Sequence, residues 1–183
     1  DEMRRHADRL ASMGYLVVVP DLLARGRRVV CLAQTFRALR RGRGRAFDDI
    51  EAARARVLGD PRCAGSVGVI GFCLGGGFAL ILAGLPGWDA AVVNYGALPA
   101  DLAALDGACP VVASYGKRDL YLKGAASALE AALTERGVEH DVEEYPSAGH
   151  AFLNVHTESP WYATPITRLV MRVGHDPASA DDA

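Results

Sequence analysis

The sequence has few cysteines, no long apolar run and no excess of charge of either sign. Its 183 residues include four cysteines, with no Cys-x-x-Cys pair and no histidine at a spacing typical of zinc sites. No run is long enough for a transmembrane helix, and the first five residues do not resemble a signal peptide. A net charge of −2 gives no indication of a nucleic-acid or membrane partner. We therefore expect a cytoplasmic protein with free thiols and no metal site.

The length and composition are those of one globular domain. Half of the residues are hydrophobic and 23% are charged, and a chain of this size can bury a substantial core. Because Asp1 falls almost directly on a helical pattern, we expect the sequence to open inside a longer protein. Residues 1–183 are then interpreted as a single, partial domain.

Apolar runs alternate with helical patterns along the chain, which indicates a mostly parallel sheet covered by helices on both faces. A continuous apolar run is typical of a strand buried on both sides. The predicted strands lie at 15–19, 67–70, 90–95, 111–115 and 141–145, and the predicted helices at 3–11, 47–58, 74–85 and 125–133.

The stretch from Arg25 to Arg45 is rich in arginine and punctuated by glycine. Its apolar residues follow no clear helical or strand period, except near Leu32 to Leu39, where a short helix is predicted. We interpret it as a solvated basic loop, because surface arginines usually face water. The alternative is an anion site contributed by a cap region.

A nucleophile elbow is indicated by Gly71-Phe72-Cys73-Leu74-Gly75, which lies between a predicted strand and a predicted helix. This is the G-x-S-x-G pattern with cysteine as the central residue. The turn is sharp, so we expect glycine at 71 and 75 to avoid collisions with the neighbouring strand and helix. It places the thiol at a helix N-terminus, which favours the thiolate. The alternatives are a structural cysteine in a glycine-rich turn and a dinucleotide loop, whose glycine spacing is not matched.

Two possible partners of Cys73 follow at the carboxyl ends of later strands. Asp119 comes after the strand at 111–115, and His150 after the strand at 141–145. Taken alone, Asp119 could cap a turn and His150 could lie in a surface loop. In the order nucleophile, acid, base, however, they match the α/β-hydrolases, so we predict a Cys73–His150–Asp119 triad.

These segments resemble the dienelactone hydrolase family. The resemblance is carried by the elbow at 69–78, the acid loop at 116–119, the histidine loop at 144–152 and the stretch at 14–22. It implies an α/β-hydrolase fold and hydrolysis of small carboxylic esters or lactones. It also implies a monomer that uses no metal or organic cofactor.

The resemblance also implies roles for individual residues. Cys73 forms a thioacyl intermediate, His150 transfers the proton and Asp119 holds the imidazole ring. The backbone N–H of Leu74 supplies half of an oxyanion hole. Tyr95 matches a substrate-binding tyrosine, the alternative being a buried tyrosine of the sheet. Asn154 stands where the family carries an arginine that binds the substrate carboxylate, so a carboxylate on the substrate is not implied.

The family has further parts that we expect this sequence to lack. It begins with a strand and a His-Glu loop that donates the second oxyanion N–H and a thiol-activating glutamate, and it ends in a closing helix. We therefore expect a fold without the first strands and the closing helix. This leaves open a catalytically impaired fragment or a thiol-reactive non-enzyme of the same fold. A glutamine-amidotransferase-like enzyme is disfavoured, because Phe152 stands where such enzymes carry a glutamate.

Overall fold

The computed structural model describes residues 2–24, 26–155 and 172–183. The chain forms two compact units, Asp1–Val67 and Gly68–Ala183. No helix in the described ranges is both long enough and apolar enough to cross a bilayer.

The first unit is helical in its described part. Its three helices are α1 (Glu2–Ser12), α2 (Arg28–Arg41) and α3 (Arg45–Leu58). Helix α3 buries Phe47 and Ile50, whereas α2 buries Cys31 and Ala38. Gly42 ends α2 in the left-handed conformation (φ 61°) that glycine adopts without strain.

Two expectations for this unit are wrong: a loop over most of 25–45 and a strand at 15–19. The helix expected near 32–39 is present and is longer than expected, so most of the arginine-rich stretch is the helix α2 and not a loop. Residues 15–19 form no strand, and Tyr15 and Val19 are 63% and 51% exposed. A strand needs a neighbour for its backbone N–H and C=O groups, and the described residues of this unit contain none. An apolar run alone does not provide that partner.

The second unit is built on a parallel four-stranded sheet, as predicted. The strands lie side by side in chain order. They are β1 (Gly68–Phe72), β2 (Ala90–Asn94), β3 (Val111–Gly116) and β4 (His140–Tyr145). The other elements are α4 (Leu74–Ala83), a 3-10 helix (Leu102–Leu105), α5 (Ala125–Glu135) and α6 (Pro177–Asp182).

The core of this unit lies between the sheet and two crossover helices. Helix α4 connects β1 to β2, and α5 connects β3 to β4. Because the strands advance in one direction, right-handed crossovers place both helices on the same face. Leu80 of α4 and Leu129 of α5 are fully buried there with Val93 of β2. Ile70 of β1 and Val112 of β3 are 41% and 45% exposed, so these two strand residues lie outside this core.

Candidate active site

Cys73 occupies a strained turn between β1 and α4. Its backbone lies at φ 54° and ψ −116°, a region that residues with side chains rarely adopt. The turn is held by a hydrogen bond from the Cys73 N–H to the Asn94 carbonyl oxygen at 2.9 Å. The thiol is exposed at the carboxyl edge of the sheet. Strain of this kind persists only where surrounding structure fixes it, and it is typical of functional sites.

The glycines around the turn have different roles. A Cβ on Gly71 would overlap the carbonyl oxygen of Gly75, so the expectation for Gly71 is confirmed. The expectation for Gly75 is wrong, because a Cβ there meets nothing within 4 Å. The close approach is instead between Gly76 and Gly96, where a Cβ on Gly76 would lie 2.7 Å from the Gly96 Cα. Sequence reasoning missed this role of Gly96, for which the one signal is its position two residues after the end of β2.

His150 connects the thiol to a carboxylate. Its Nδ1 lies 2.6 Å from Asp119 Oδ2, and its Nε2 lies 3.1 Å from Cys73 Sγ. His150 is 4% exposed and Asp119 1% exposed. The structure thus places the three predicted side chains in the predicted order along one line of hydrogen bonds.

Asp119 uses its two carboxylate oxygens differently. Oδ1 accepts the backbone N–H of Tyr121 at 2.9 Å, which closes a turn, while Oδ2 faces His150. Asp119 therefore closes a turn and also forms a hydrogen bond with the histidine. Because the turn fixes one oxygen, the other is aimed at the imidazole without further support.

The surroundings of His150 favour its protonated form. Burial opposes the charged ring, but the hydrogen bonds to Asp119 and Cys73 outweigh it and raise the pKa of His150 from 6.5 to about 9. The imidazole of His150 is thus favoured in its protonated form at neutral pH. An imidazolium beside a thiol can act as a proton donor to a departing group.

Leu74 begins α4 directly after the thiol. Its N–H donates to no described residue, as is usual for the first N–H groups of a helix. The N-terminal end of α4, where Leu74 lies, also carries partial positive charge. A free donor beside Cys73 can receive an oxyanion that develops on a carbonyl attacked by sulfur.

Tyr95 lies behind the imidazole. It follows β2 at φ 43°, is 1% exposed and has its ring 5.1 Å from that of His150. Its hydroxyl donates to Asn154 Oδ1 at 3.3 Å, and Asn154 is half-buried. Tyr95 therefore contacts the His150 ring directly, and Asn154 is connected to the site through the Tyr95 hydroxyl.

The described residues contain no cluster of three His, Cys, Asp or Glu side chains suited to a metal ion. The chemistry available to this arrangement is that of a nucleophilic sulfur, a proton carrier and an oxyanion donor.

The parallel sheet, the crossover helices and the strained turn at its carboxyl edge define an α/β-hydrolase fold. Two solved structures share it. One, named m3DLH, superposes with a TM-score of 0.67 at 21% identity and covers 100% of this chain and 76% of its own. The other is MGS-M1, an α/β hydrolase enzyme from a Medee basin deep-sea metagenome library. It has a TM-score of 0.51 at 16% identity, covering 85% of this chain and 64% of its own.

The chain belongs to the dienelactone hydrolase family, whose model matches residues 1–183. A carboxymethylenebutenolidase of Rhodococcus opacus is 31% identical over 175 residues, covering 85% of this chain and 66% of the relative. A putative carboxymethylenebutenolidase of Methylorubrum extorquens is 32% identical over 162 residues, covering 79% and 56%. The chain thus spans less than two thirds of the length of these curated relatives. The resemblance inferred from the motifs is confirmed at the level of the family.

Proposed function

We propose that this site hydrolyses small carboxylic esters or lactones through a thioacyl intermediate on Cys73. One observation carries the proposal: His150 lies between the Cys73 sulfur and the Asp119 carboxylate, within hydrogen-bond distance of both. This is the arrangement that activates a nucleophile and holds its base in one orientation. The names of the curated relatives, carboxymethylenebutenolidase and putative carboxymethylenebutenolidase, agree with it.

In the first half of the proposed reaction, the Cys73 sulfur, whose proton is held by His150, attacks the carbonyl carbon as a thiolate, and a C–S bond forms. The carbonyl oxygen becomes an oxyanion, which accepts a hydrogen bond from the Leu74 N–H. The carbonyl re-forms as the C–O bond to the leaving oxygen breaks, and His150 protonates that oxygen. From a lactone, the released hydroxyl stays on the same molecule as the thioester.

In the second half, His150 takes a proton from water, and the resulting hydroxide attacks the thioester carbonyl. The C–S bond breaks and the carboxylic acid leaves. The Cys73 sulfur is then again a thiolate beside the protonated His150. Asp119 keeps the imidazole oriented in both halves and stays ionised. Every step uses side chains or backbone of this chain, so the proposal needs no metal or organic cofactor.

The proposed substrate contacts come from Asn154, supported by Tyr95. The Tyr95 hydroxyl donates to Asn154 Oδ1, which leaves the amide Nδ2 of Asn154 as a hydrogen-bond donor. An uncharged donor suits a carbonyl or hydroxyl oxygen of a neutral substrate. We further propose a small molecule as the only partner and a reducing cytoplasmic setting, which the four free thiols support.

The test compares Cys73→Ala with Cys63→Ala in the full-length protein that carries these 183 residues. Cys63 is also a free thiol, but its sulfur accepts the Gly65 N–H at 3.5 Å instead of facing a histidine, so Cys63→Ala controls for the loss of a thiol. With p-nitrophenyl acetate we expect turnover in the wild type and in Cys63→Ala, and none above background in Cys73→Ala. Acid quenching during turnover should yield a Cys73 peptide carrying the acetyl group.

A thiol-reactive protein without turnover is the second candidate, favoured by the exposure of Cys73. In that case iodoacetamide would alkylate Cys73 selectively while p-nitrophenyl acetate gave at most one acetyl group per chain. Selective alkylation without repeated turnover in the full-length protein would reject the hydrolase.

A further inference from the structure

The loop that carries His150 has to reach far across the sheet. It follows β4, whereas Cys73 follows β1, and the two strands stand at opposite ends of the order β1-β2-β3-β4. With a strand spacing of about 4.8 Å, the gap between these strands is roughly 14 Å. A loop that crosses this distance and still holds a 3.1 Å contact between Nε2 and Sγ needs support beyond Asp119.

The loop is also strained immediately after the histidine. Ala151 has φ 58°, a left-handed conformation that a residue with a Cβ adopts only at a cost. Such a conformation persists where neighbouring structure holds it in place. The backbone carbonyls on either side of Ala151, those of His150 and Phe152, are therefore the groups to inspect for partners.

Both carbonyls are bound by residues 172–176, which we name the clamp segment. The Gly174 N–H donates to the His150 oxygen at 3.4 Å, and the Asp176 N–H donates to the Phe152 oxygen at 3.2 Å. The His175 Nδ1 donates to the same Phe152 oxygen at 3.0 Å. The left-handed turn is thus fixed from both sides by one stretch of chain.

The clamp segment is tied to the start of the loop as well. The Ser147 hydroxyl donates to Asp176 Oδ2 at 2.6 Å, and this hydrogen bond keeps the pKa of Asp176 below its usual range. Between Ser147 and His150, the loop passes so close to the clamp segment that a Cβ on Gly149 would overlap the Arg172 carbonyl oxygen. The loop is therefore held before, at and after the histidine.

We propose that the clamp segment positions the catalytic histidine, with Ser147 and Asp176 as its side-chain fastening. The inference rests on the proposed function in calling His150 catalytic, but the positioning itself is a property of the free protein. Asp176 and Ser147 touch no reacting atom, so they are positioning residues. Their loss should change the geometry of the His150 line of hydrogen bonds.

The first test is an NMR titration of the His150 ring. In the wild type we expect the pKa of about 9 that the Asp119 and Cys73 hydrogen bonds produce. In Asp176→Ala the loosened loop lengthens those bonds, so the pKa of His150 moves down toward 6.5. Asp176→Asn keeps an acceptor for the Ser147 hydroxyl and should retain the wild-type value. Asp181→Ala removes an exposed carboxylate of α6 and serves as the matched control.

The second test is kinetic. In Asp176→Ala we expect kcat for p-nitrophenyl acetate to fall about 3- to 10-fold, since misplacement of a catalytic group lowers the rate of reaction. In the double variant Ser147→Ala/Asp176→Ala, kcat should fall no further than in the more affected single variant. The reason is that either single change already breaks the hydrogen bond between Ser147 and Asp176.

The outcomes separate the clamp from the hydrolase. An unchanged His150 titration and unchanged kcat in Asp176→Ala, with only a lower melting temperature, would reduce the clamp to a structural element and overturn the inference. A shifted titration in a protein whose wild type shows no turnover would support the clamp while rejecting the proposed hydrolase.

Discussion

At the residue scale, the site depends on His150 because each of its ring nitrogens has one partner. Nδ1 is occupied by Asp119 and Nε2 faces Cys73. With the ring buried between them, a change at either partner changes the protonation of the imidazole. Of Asp119 and Cys73, Asp119 is the more informative residue to substitute, because asparagine keeps the Oδ1 atom that closes the turn.

We predict that Asp119→Asn lowers kcat by about 10³- to 10⁴-fold, the scale seen when a triad carboxylate becomes an amide. The change also removes the hydrogen bond to the Asp119 carboxylate, which raises the pKa of His150 more than the hydrogen bond to Cys73 does. The alkaline limb of the pH–rate profile should therefore move from about 9 to lower pH. Measurement is by p-nitrophenyl acetate hydrolysis across pH.

The matched control is Asp101→Asn. Asp101 Oδ1 accepts the Ala103 N–H at 2.9 Å in the same kind of turn but has no histidine partner. It should leave kcat and the profile unchanged. An alkaline limb that stays in place in Asp119→Asn would contradict the role assigned to this carboxylate.

The three side chains of the site could be predicted from the sequence because each follows a strand, and parallel strands bring their carboxyl ends to one edge. The contact between the Tyr95 hydroxyl and Asn154 could not be predicted. These residues are 59 positions apart, and their meeting depends on the left-handed backbone at Tyr95. No local pattern encodes a contact of that kind.

At the scale of elements, the strands of the second unit and the helices with a clear apolar period were predicted best. The four strands of the second unit lie within a few residues of their expected positions, since apolar runs bounded by turns mark buried parallel strands. The strand expected at 15–19 is absent, because the described residues of the first unit contain no strand to pair with it. The helix expected near 32–39 is present, but it is longer than expected because the ends of α2 lack the apolar period that reveals a helix.

Glycine packing under the elbow gives a prediction at this scale. Gly96→Ala should destabilise the protein by about 3 kcal/mol or more, because its Cβ would overlap the backbone of Gly76 and neither segment can move without breaking the elbow. Gly75→Ala should be neutral or stabilising by up to about 1 kcal/mol, since alanine favours a helix and its Cβ meets open space.

Urea unfolding followed by circular dichroism measures both variants. They add the same methyl group within the same part of the fold, so each serves as the control of the other. Equal stability losses in the two variants would refute the close approach between Gly76 and Gly96.

At the scale of the whole molecule, every residue of the proposed site belongs to the second unit, Gly68–Ala183. The sheet supplies Cys73 after β1, Asp119 after β3 and His150 after β4, so the three side chains hold together strands that span the whole sheet. A network that connects distant elements contributes to the stability of the fold as well as to chemistry. Its protonation should therefore be visible in the unfolding free energy.

The sign of this effect follows from His150. Its folded-state pKa of about 9 lies above the 6.5 of the free side chain, so the folded protein binds the proton more tightly than the unfolded chain. The stabilisation is fully present below about pH 6.5 and is lost as pH rises to about 9. Its upper limit is about 3 kcal/mol, from a shift of that size at 1.36 kcal/mol per unit.

We therefore predict that the unfolding free energy, measured in urea at about pH 6, 7.5 and 9.5, falls across this window in the wild type. In His150→Gln the fall should be largely absent, because the titrating ring between Asp119 and Cys73 is gone. His140→Gln removes a histidine that bonds instead to Thr134 and the Val138 carbonyl, and it should keep the wild-type fall. A wild-type profile that stays level across the window would mean that Asp119 and Cys73 do not hold the proton on His150, and the proton-donor role proposed for the imidazole would fall with it.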